Sequence, residues 1–261
     1  MRAIRTMTLL GILLTALLVN PVLGIDHNYP QWDRILKAVV VPIGPKSQVR
    51  YDLLQKNPRE LDQFIGEVES VTHAEYLQWS DQQKVAFLIN AYNALTIKLI
   101  LTKYPDLKSI KDLGGFFSGP WKVEFFTLFG EKRHLDYIEH SILRKDFQEP
   151  RIHFALVCAS IGCPALRDEA YVPQRLDQQL SDAAQRFLKD RDRNYYDRDS
   201  DSLKISSIFK WFKEDFIKTA GSVEAFIAPW ITDDDQLRQR IQDRKIELDY
   251  LDYDWNLNST S

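Results

Sequence analysis

The stretch SDQQKVAFLINAYNALTIKLILTKY, Ser80 to Tyr104, decides the fold. Ser80 and Asp81 suit a helix N-cap, and Pro105 ends the run because the residue before a proline is pushed out of helical geometry. Between them Phe87, Leu88, Tyr92, Leu95, Leu99 and their apolar neighbours cover every side of the cylinder. A helix apolar all round is either buried or spans a membrane. Asn90, Asn93 and Lys98 inside it would be costly in lipid, so the reading is a long buried central helix.

Working outward, Trp32 to Val41 and Pro58 to Val71 read as helices. Trp121 to Leu128 and Lys132 to Leu135 read as two strands around Phe129-Gly130-Glu131. Asp136 to Phe147 reads as a helix and Arg151 to Cys158 as an apolar strand. Pro173 opens a helix to about Lys189, and Tyr195 to Ile205 a hairpin around Asp199 to Ser202. Ser206 or Ser207 caps a helix with Ile208, Trp211, Phe212 and Phe216 on one face. Asp233 to Arg244 is a last helix and Ile246 to Tyr253 a last strand. The expected class is α+β: a helix-rich single domain with a small, mostly antiparallel sheet.

The N-terminus reads as a secretory signal peptide over residues 1–24. Arg2 and Arg5 precede the uncharged run Met7 to Val19, and Val22 and Gly24 occupy the −3 and −1 positions before Ile25. The run is shorter than the roughly 20 residues that cross a bilayer, so cleavage is expected, leaving no membrane span. No cysteine follows the run, which argues against a lipid anchor. The expected globular domain is residues 25–261, secreted or periplasmic. Its 237 residues carry a net charge of −5 once the two leader arginines are removed from the whole-chain value of −3. Such a balance argues against a nucleic-acid surface, which needs clustered Lys and Arg. Hydrophobic residues at 44% and aromatics at 12% suffice for a full core.

Five segments, in order, carry a resemblance: FLINAYNALTI (Phe87 to Ile97), LDYIEHSILR (Leu135 to Arg144), HFALVCASIGCPALRDEAY (His153 to Tyr171), ISSIFKWFKEDF (Ile205 to Phe216) and YLDYDWNLN (Tyr250 to Asn258). Together they resemble the domain-of-unknown-function family 547. The resemblance implies exported bacterial proteins with no established reaction, so mechanism has to come from the residues.

No HExxH, phosphate loop, GxSxG or CxxC occurs. His134 and His140 are six apart and make a poor metal pair, so neither metal nor cofactor is expected. HFALVCASIGCPALR, His153 to Arg167, is the best candidate for chemistry. Cys163 at the start of a helix from Ala165 would gain thiolate character, with His153 or His140 as base and Ser160 nearby. On a strand, however, His153 and Cys158 would point to opposite faces. A local Cys158–Cys163 disulfide and two packed thiols stand beside the catalytic reading. Such a bridge closes a short loop and would stabilise little by the loop-entropy model.

Asn90 and Asn93, three apart, either satisfy loop backbone in the core or line a polar cleft. Glu139, His140 and Arg144 read as an exposed, solvated face, with a buried Arg144–Asp254 pair as the structural rival to anion binding. Asp254 and Trp255 either close a groove or lie in a terminal strand docked on the core. Trp211 and Phe212, at helical spacing, read as core. Two functions follow: a binding domain for a peptide, a glycan or an envelope protein, and a thiol-dependent hydrolase or transferase with Cys163 as nucleophile and Asn90 or Asn93 as orienting group.

Overall fold

A computed structural model describes residues 24–115 and 119–260. The leader expected over residues 1–24 therefore lies outside the described residues, apart from Gly24. In chain order the elements begin with helix α1 (Pro30–Val39), hairpin β1 (Val40–Ile43) and β2 (Lys46–Val49), and helices α2 (Tyr51–Lys56), α3 (Arg59–Ser70), α4 (His73–Leu77) and α5 (Asp81–Leu101). Strands β3 (Phe126–Leu128) and β4 (Glu131–Arg133) follow. A wide π-wound segment, Tyr137–Leu143, then runs into α6 (Arg144–Asp146). After it come α7 (Leu176–Leu188), β5 (Tyr195–Asp197), β6 (Ser202–Ser206), α8 (Ile208–Trp211), α9 (Lys213–Ala220), α10 (Val223–Ile231), α11 (Asp235–Gln242) and β7 (Glu247–Leu251). The fold is helix-rich α+β, as expected. Among the described residues the β-structure is two antiparallel ribbons and one three-stranded sheet in which β5 and β6 are antiparallel and β6 and β7 parallel.

Helix α5 is the axis of the larger core. A capping box starts it: Ser80 Oγ accepts from Gln83 N–H at 3.2 Å and Gln83 Oε1 accepts from Ser80 N–H at 2.9 Å. The helix is long and apolar enough to cross a bilayer, yet 83% of its apolar window is buried inside the fold. Leu36 of α1, Leu54 of α2, Phe64 of α3 and Leu143 of the π-wound segment belong to the same cluster. Full burial of each such side chain stabilises by roughly 1.5–3 kcal/mol. A second cluster holds Phe187 of α7, Ile205 of β6, Phe209 of α8, Phe216 of α9 and Ile227 of α10.

The segment expected as a strand, Arg151 to Cys158, runs along the seam between these clusters and is not one. Pro150 opens a 3-10 turn, Pro150–Phe154, capped by the Glu149 carboxylate on Arg151 N–H at 3.1 Å. Phe154 packs into the second cluster, while Ile152, Ala155 and Val157 pack into the first. No strand is needed to satisfy this backbone, because Asn93 serves it: its Nδ2 donates to Ala155 O and its Oδ1 accepts from Val157 N–H, both at 3.0 Å. Asn90 does the same for Tyr171, donating at 2.8 Å and accepting at 3.0 Å. Of the two readings of these asparagines, the core one holds.

Residues 252–260 pass back across both cores. Val49 N–H donates to Asn258 O, Leu257 N–H to Lys108 O, Ile161 N–H to Asn256 O and Gly162 N–H to Asp254 O. Gly162 is needed at that crossing, since a Cβ there would lie 3.0 Å from Asp254 O and from the Tyr253 ring.

Candidate functional site

The seam, the π-wound segment, the α8–α9 junction and the returning tail enclose one pocket of about 180 Å³. Its floor holds Tyr92 of α5, Leu156 and both cysteines; one wall holds Asp136, Glu139, His140 and His153; the mouth is aromatic.

His153, expected on a strand facing away from Cys158, lies in the 3-10 turn and shares this pocket with Cys158 and Cys163. Its Nε2 is 2.8 Å from Asp215 Oδ2, and Phe212 stacks on the imidazole at a centroid distance of 3.9 Å. Nδ1 is buried with no hydrogen-bond partner, Glu139 Oε1 being 4.0 Å away. Burial lowers the imidazole's pKa, against the pull of Asp215. Nε2 thus faces a carboxylate, while Nδ1 is left without a partner. Burial works against the Asp215 carboxylate, but hydrogen bonds from His153 and Arg144 outweigh it and hold its pKa well below the usual range. Arg144 is the charge partner, with Nε at 2.6 Å and Nη2 at 3.2 Å.

The expectation of an exposed face holds for His140 and fails for Glu139, while Arg144 is half-buried. In the wide turn Glu139 is 7% exposed and faces the pocket; burial and the nearby Asp136 carboxylate push its pKa up to about 7. His140 stays at the mouth, its Nδ1 accepting from Arg144 Nη1 at 2.7 Å. Extra-wide helical turns occur often at functional sites. The structural rival is half right: Arg144 does pair with an acid, and that acid is Asp215 and not Asp254.

Cys158 and Cys163 form a disulfide, with Cα atoms 6.3 Å apart. No helix follows Cys163, so the expected helix dipole is absent. Its sulfur is served instead by Cys158 N–H at 3.0 Å and the Tyr253 hydroxyl at 3.2 Å. Cys163 is 3% exposed, and Cys158 is the more accessible of the two. Arg193 donates to Cys163 O at 2.7 Å and to Ile161 O at 3.1 Å, pinning the loop. Ser160 is buried, its hydroxyl 3.7 Å from Cys158 Sγ.

Trp211, expected in the core, is 45% exposed because the chain breaks helical geometry at Phe212, between α8 and α9. It meets Trp255 at 5.5 Å and Tyr253 at 4.8 Å, and Trp121 meets Trp255 at 5.8 Å. Trp255 lies half-buried beyond the end of β7.

Residues 76–188 match the family model described as protein of unknown function, DUF547. Neither curated proteins nor solved structures yield a match. The matched segment supplies the pocket residues from Tyr92 to Cys163, while Trp211, Tyr253 and Trp255, and the Asp215 that holds His153 from behind, come from beyond the matched range.

Of the residues singled out by sequence, His140, His153 and Cys163 converge on the pocket, and Arg144 and Ser160 stand just behind it. Asn90 and Asn93 hold loop backbone in the core. Asp254 is elsewhere, its carboxylate taken up by Asn256. Glu139 as a pocket acid, Asp215, Tyr92 and Tyr253 were not anticipated as site residues. Among the described residues no group of His, Cys, Asp and Glu side chains has the arrangement to hold a metal ion.

Proposed function

We propose that this chain is an exported binding protein whose pocket seats one side chain of an extended peptide. The observation that carries the reading is the aromatic mouth, in which Trp211 meets Tyr253 and Trp255, and Trp255 meets Trp121, while Trp211 keeps nearly half its surface in water. A cavity of about 180 Å³ suits a single side chain. Its lining is mainly apolar and aromatic, whereas a sugar ring needs donors and acceptors around its edge, so a peptide fits better than a glycan. Large aromatic rings at such a rim bury area at low entropic cost. Export is supported by the leader pattern of residues 1–24 and by the paired cysteines, which suit an oxidising compartment. The test is indole fluorescence during titration with a library of short extended peptides. Binding should change the emission, and Trp211→Ala should weaken it at least tenfold. Saturable response to oligosaccharides alone would replace the peptide with a glycan. N-terminal sequencing of exported protein should begin at or near Ile25.

The His153–Asp215 pair favours a second reading. With the cysteines reduced, a thiol nucleophile and an imidazole base would share one pocket, the arrangement used by thiol-dependent hydrolases and transferases. Reduced protein should then turn over activated esters, and a Cys158→Ser/Cys163→Ser variant should not.

A further inference from the structure

We propose that Cys158–Cys163 is an exchange-active disulfide, opened at Cys158 by the thiol of a cysteine-bearing peptide. The choice of peptide rests on the binding reading above; the exchange chemistry rests on the groups that surround the two sulfurs.

The two sulfurs are unlike. Cys158 is the accessible one, while Cys163 is 3% exposed. An incoming thiolate therefore reaches Cys158 Sγ, and Cys163 Sγ is the leaving group. The leaving group already has its donors, because Cys158 N–H and the Tyr253 hydroxyl lie 3.0 and 3.2 Å from Cys163 Sγ. Hydrogen bonds to a charged sulfur are stronger than those to a neutral one, so both favour the state in which the bond has broken. Burial raises the Tyr253 pKa, which keeps that donor protonated. The thiolate is the nucleophile in disulfide exchange, and a better-stabilised leaving thiolate departs faster.

The proton balance closes within the pocket. The incoming thiol gives its proton to His153 Nδ1, the one buried imidazole nitrogen without a partner, while Asp215 holds the Nε2–H tautomer. The new bond joins the substrate sulfur to Cys158 Sγ, the Cys158–Cys163 bond breaks, and its electron pair stays on Cys163 Sγ. A second substrate thiolate then attacks the substrate sulfur of the mixed disulfide. Cys158 leaves, the two protein sulfurs take up the two protons given up by the substrate thiols, one of them by way of His153, and the peptide has become a disulfide by loss of two electrons to the protein. The same steps in reverse, with a peptide disulfide as oxidant, restore the bridge. Opening the bridge need not open the fold. The Arg193 clamp on the Cys163 and Ile161 carbonyls and the tail bonds to Ile161 and Gly162 all persist without it.

The full chain in its oxidised state is mixed with reduced glutathione, quenched in acid and read by mass spectrometry, with circular dichroism in parallel. A synthetic disulfide peptide spanning Val157–Pro164 gives the baseline. The expected result is opening at least about tenfold faster in the folded protein than in the peptide, with no loss of ellipticity. Cys163→Ser, whose Cys158 is a free thiol, should form a mixed disulfide with oxidised glutathione and release one reduced glutathione, and Tyr253→Phe should slow opening of the intact bridge about tenfold, the worth of one hydrogen bond to a charged group. Opening slower than the peptide, opening that follows the unfolding rate, or first attack at Cys163 would overturn the proposal. A cysteine peptide and its serine analogue separate the two claims. If both bind but glutathione fails to open the bridge, exchange is wrong and binding stands. If neither binds while glutathione opens it rapidly, exchange stands and its substrate is a low-molecular-weight thiol.

Discussion

Asn90, Asn93 and His153 are buried alike, at 1%, 3% and 3% exposure, yet their polar atoms are treated in opposite ways. Each asparagine both donates to and accepts from one loop, and neither faces the pocket. His153 keeps one nitrogen occupied and the other bare, beside a carboxylate whose pKa is pushed up to about 7. Burial alone says nothing of purpose. What separates scaffold from site is whether a buried polar group has its partners.

The comparison breaks first, and most severely, on the scaffold side. Asn93→Ala orphans Ala155 O and Val157 N–H, at about 1–3 kcal/mol each. Leu88→Ala in the same helix should cost roughly 2–5 kcal/mol by transfer and cavity terms. Urea unfolding measures both; losses under about 1 kcal/mol would mean that α5 is not the central support.

The acid in the pocket should cost stability as it ionises. Glu139 titrates at about 7 in the fold against 4.5 as a free side chain. A folded state that holds its proton more tightly than the unfolded chain gains below pH 4.5 and loses that gain as pH rises to about 7. Over that window the loss is on the order of 3 kcal/mol. His140 and His153, their pKa values lowered by burial, tilt the profile the other way. Glu139→Gln should therefore make stability rise more steeply with pH between 4.5 and 7 than in the parent. Superimposable profiles would show that Glu139 is not held protonated.

The smallest effect belongs to the rim. Trp211→Ala, in contrast to its effect on ligand, should shift unfolding by about 0.5 kcal/mol or less, as half-exposed positions do. A large shift would move Trp211 from site to scaffold.

Helix α5 was legible because its apolar residues surround it and Ser80 and Pro105 bound it, and the Tyr195 to Ile205 hairpin because turn residues separate two apolar runs. Helices α2 and α4, of 6 and 5 residues, escaped because they are too short to show a period, and two longer features escaped for another reason. Helix α10 contains Pro229, and hairpin β1–β2 contains Pro42, with Gly44 at positive φ in its turn; prolines hide both patterns. The apolar run after Arg151 imitated a strand because its two neighbours are two different cores, a fact no local window contains. The cysteines and His153 were legible as a candidate by their closeness in sequence. Asp215 was not: it reaches His153 from 62 positions away, and only the break at Phe212 brings α9 to the seam. Glu139 was misjudged by one helical step, since the regular period fails in a π-wound turn.

The returning tail sets an order of events. Tyr51 Oη donates to Asn258 Oδ1 across 207 positions, and Tyr253 reaches Cys158 across 95. Contacts of such separation form late, because long loops must close before they are rewarded. A chain emerging in sequence order can assemble α1 to α5 while its pocket still lacks Trp211, Tyr253 and Trp255. Until that last stretch arrives, Cys163 has no hydroxyl beside it and Cys158 no aromatic roof. The chemistry of the sulfur pair is thereby tied to completion of the fold: a partly made molecule carries two ordinary cysteines, and only a finished one carries a site.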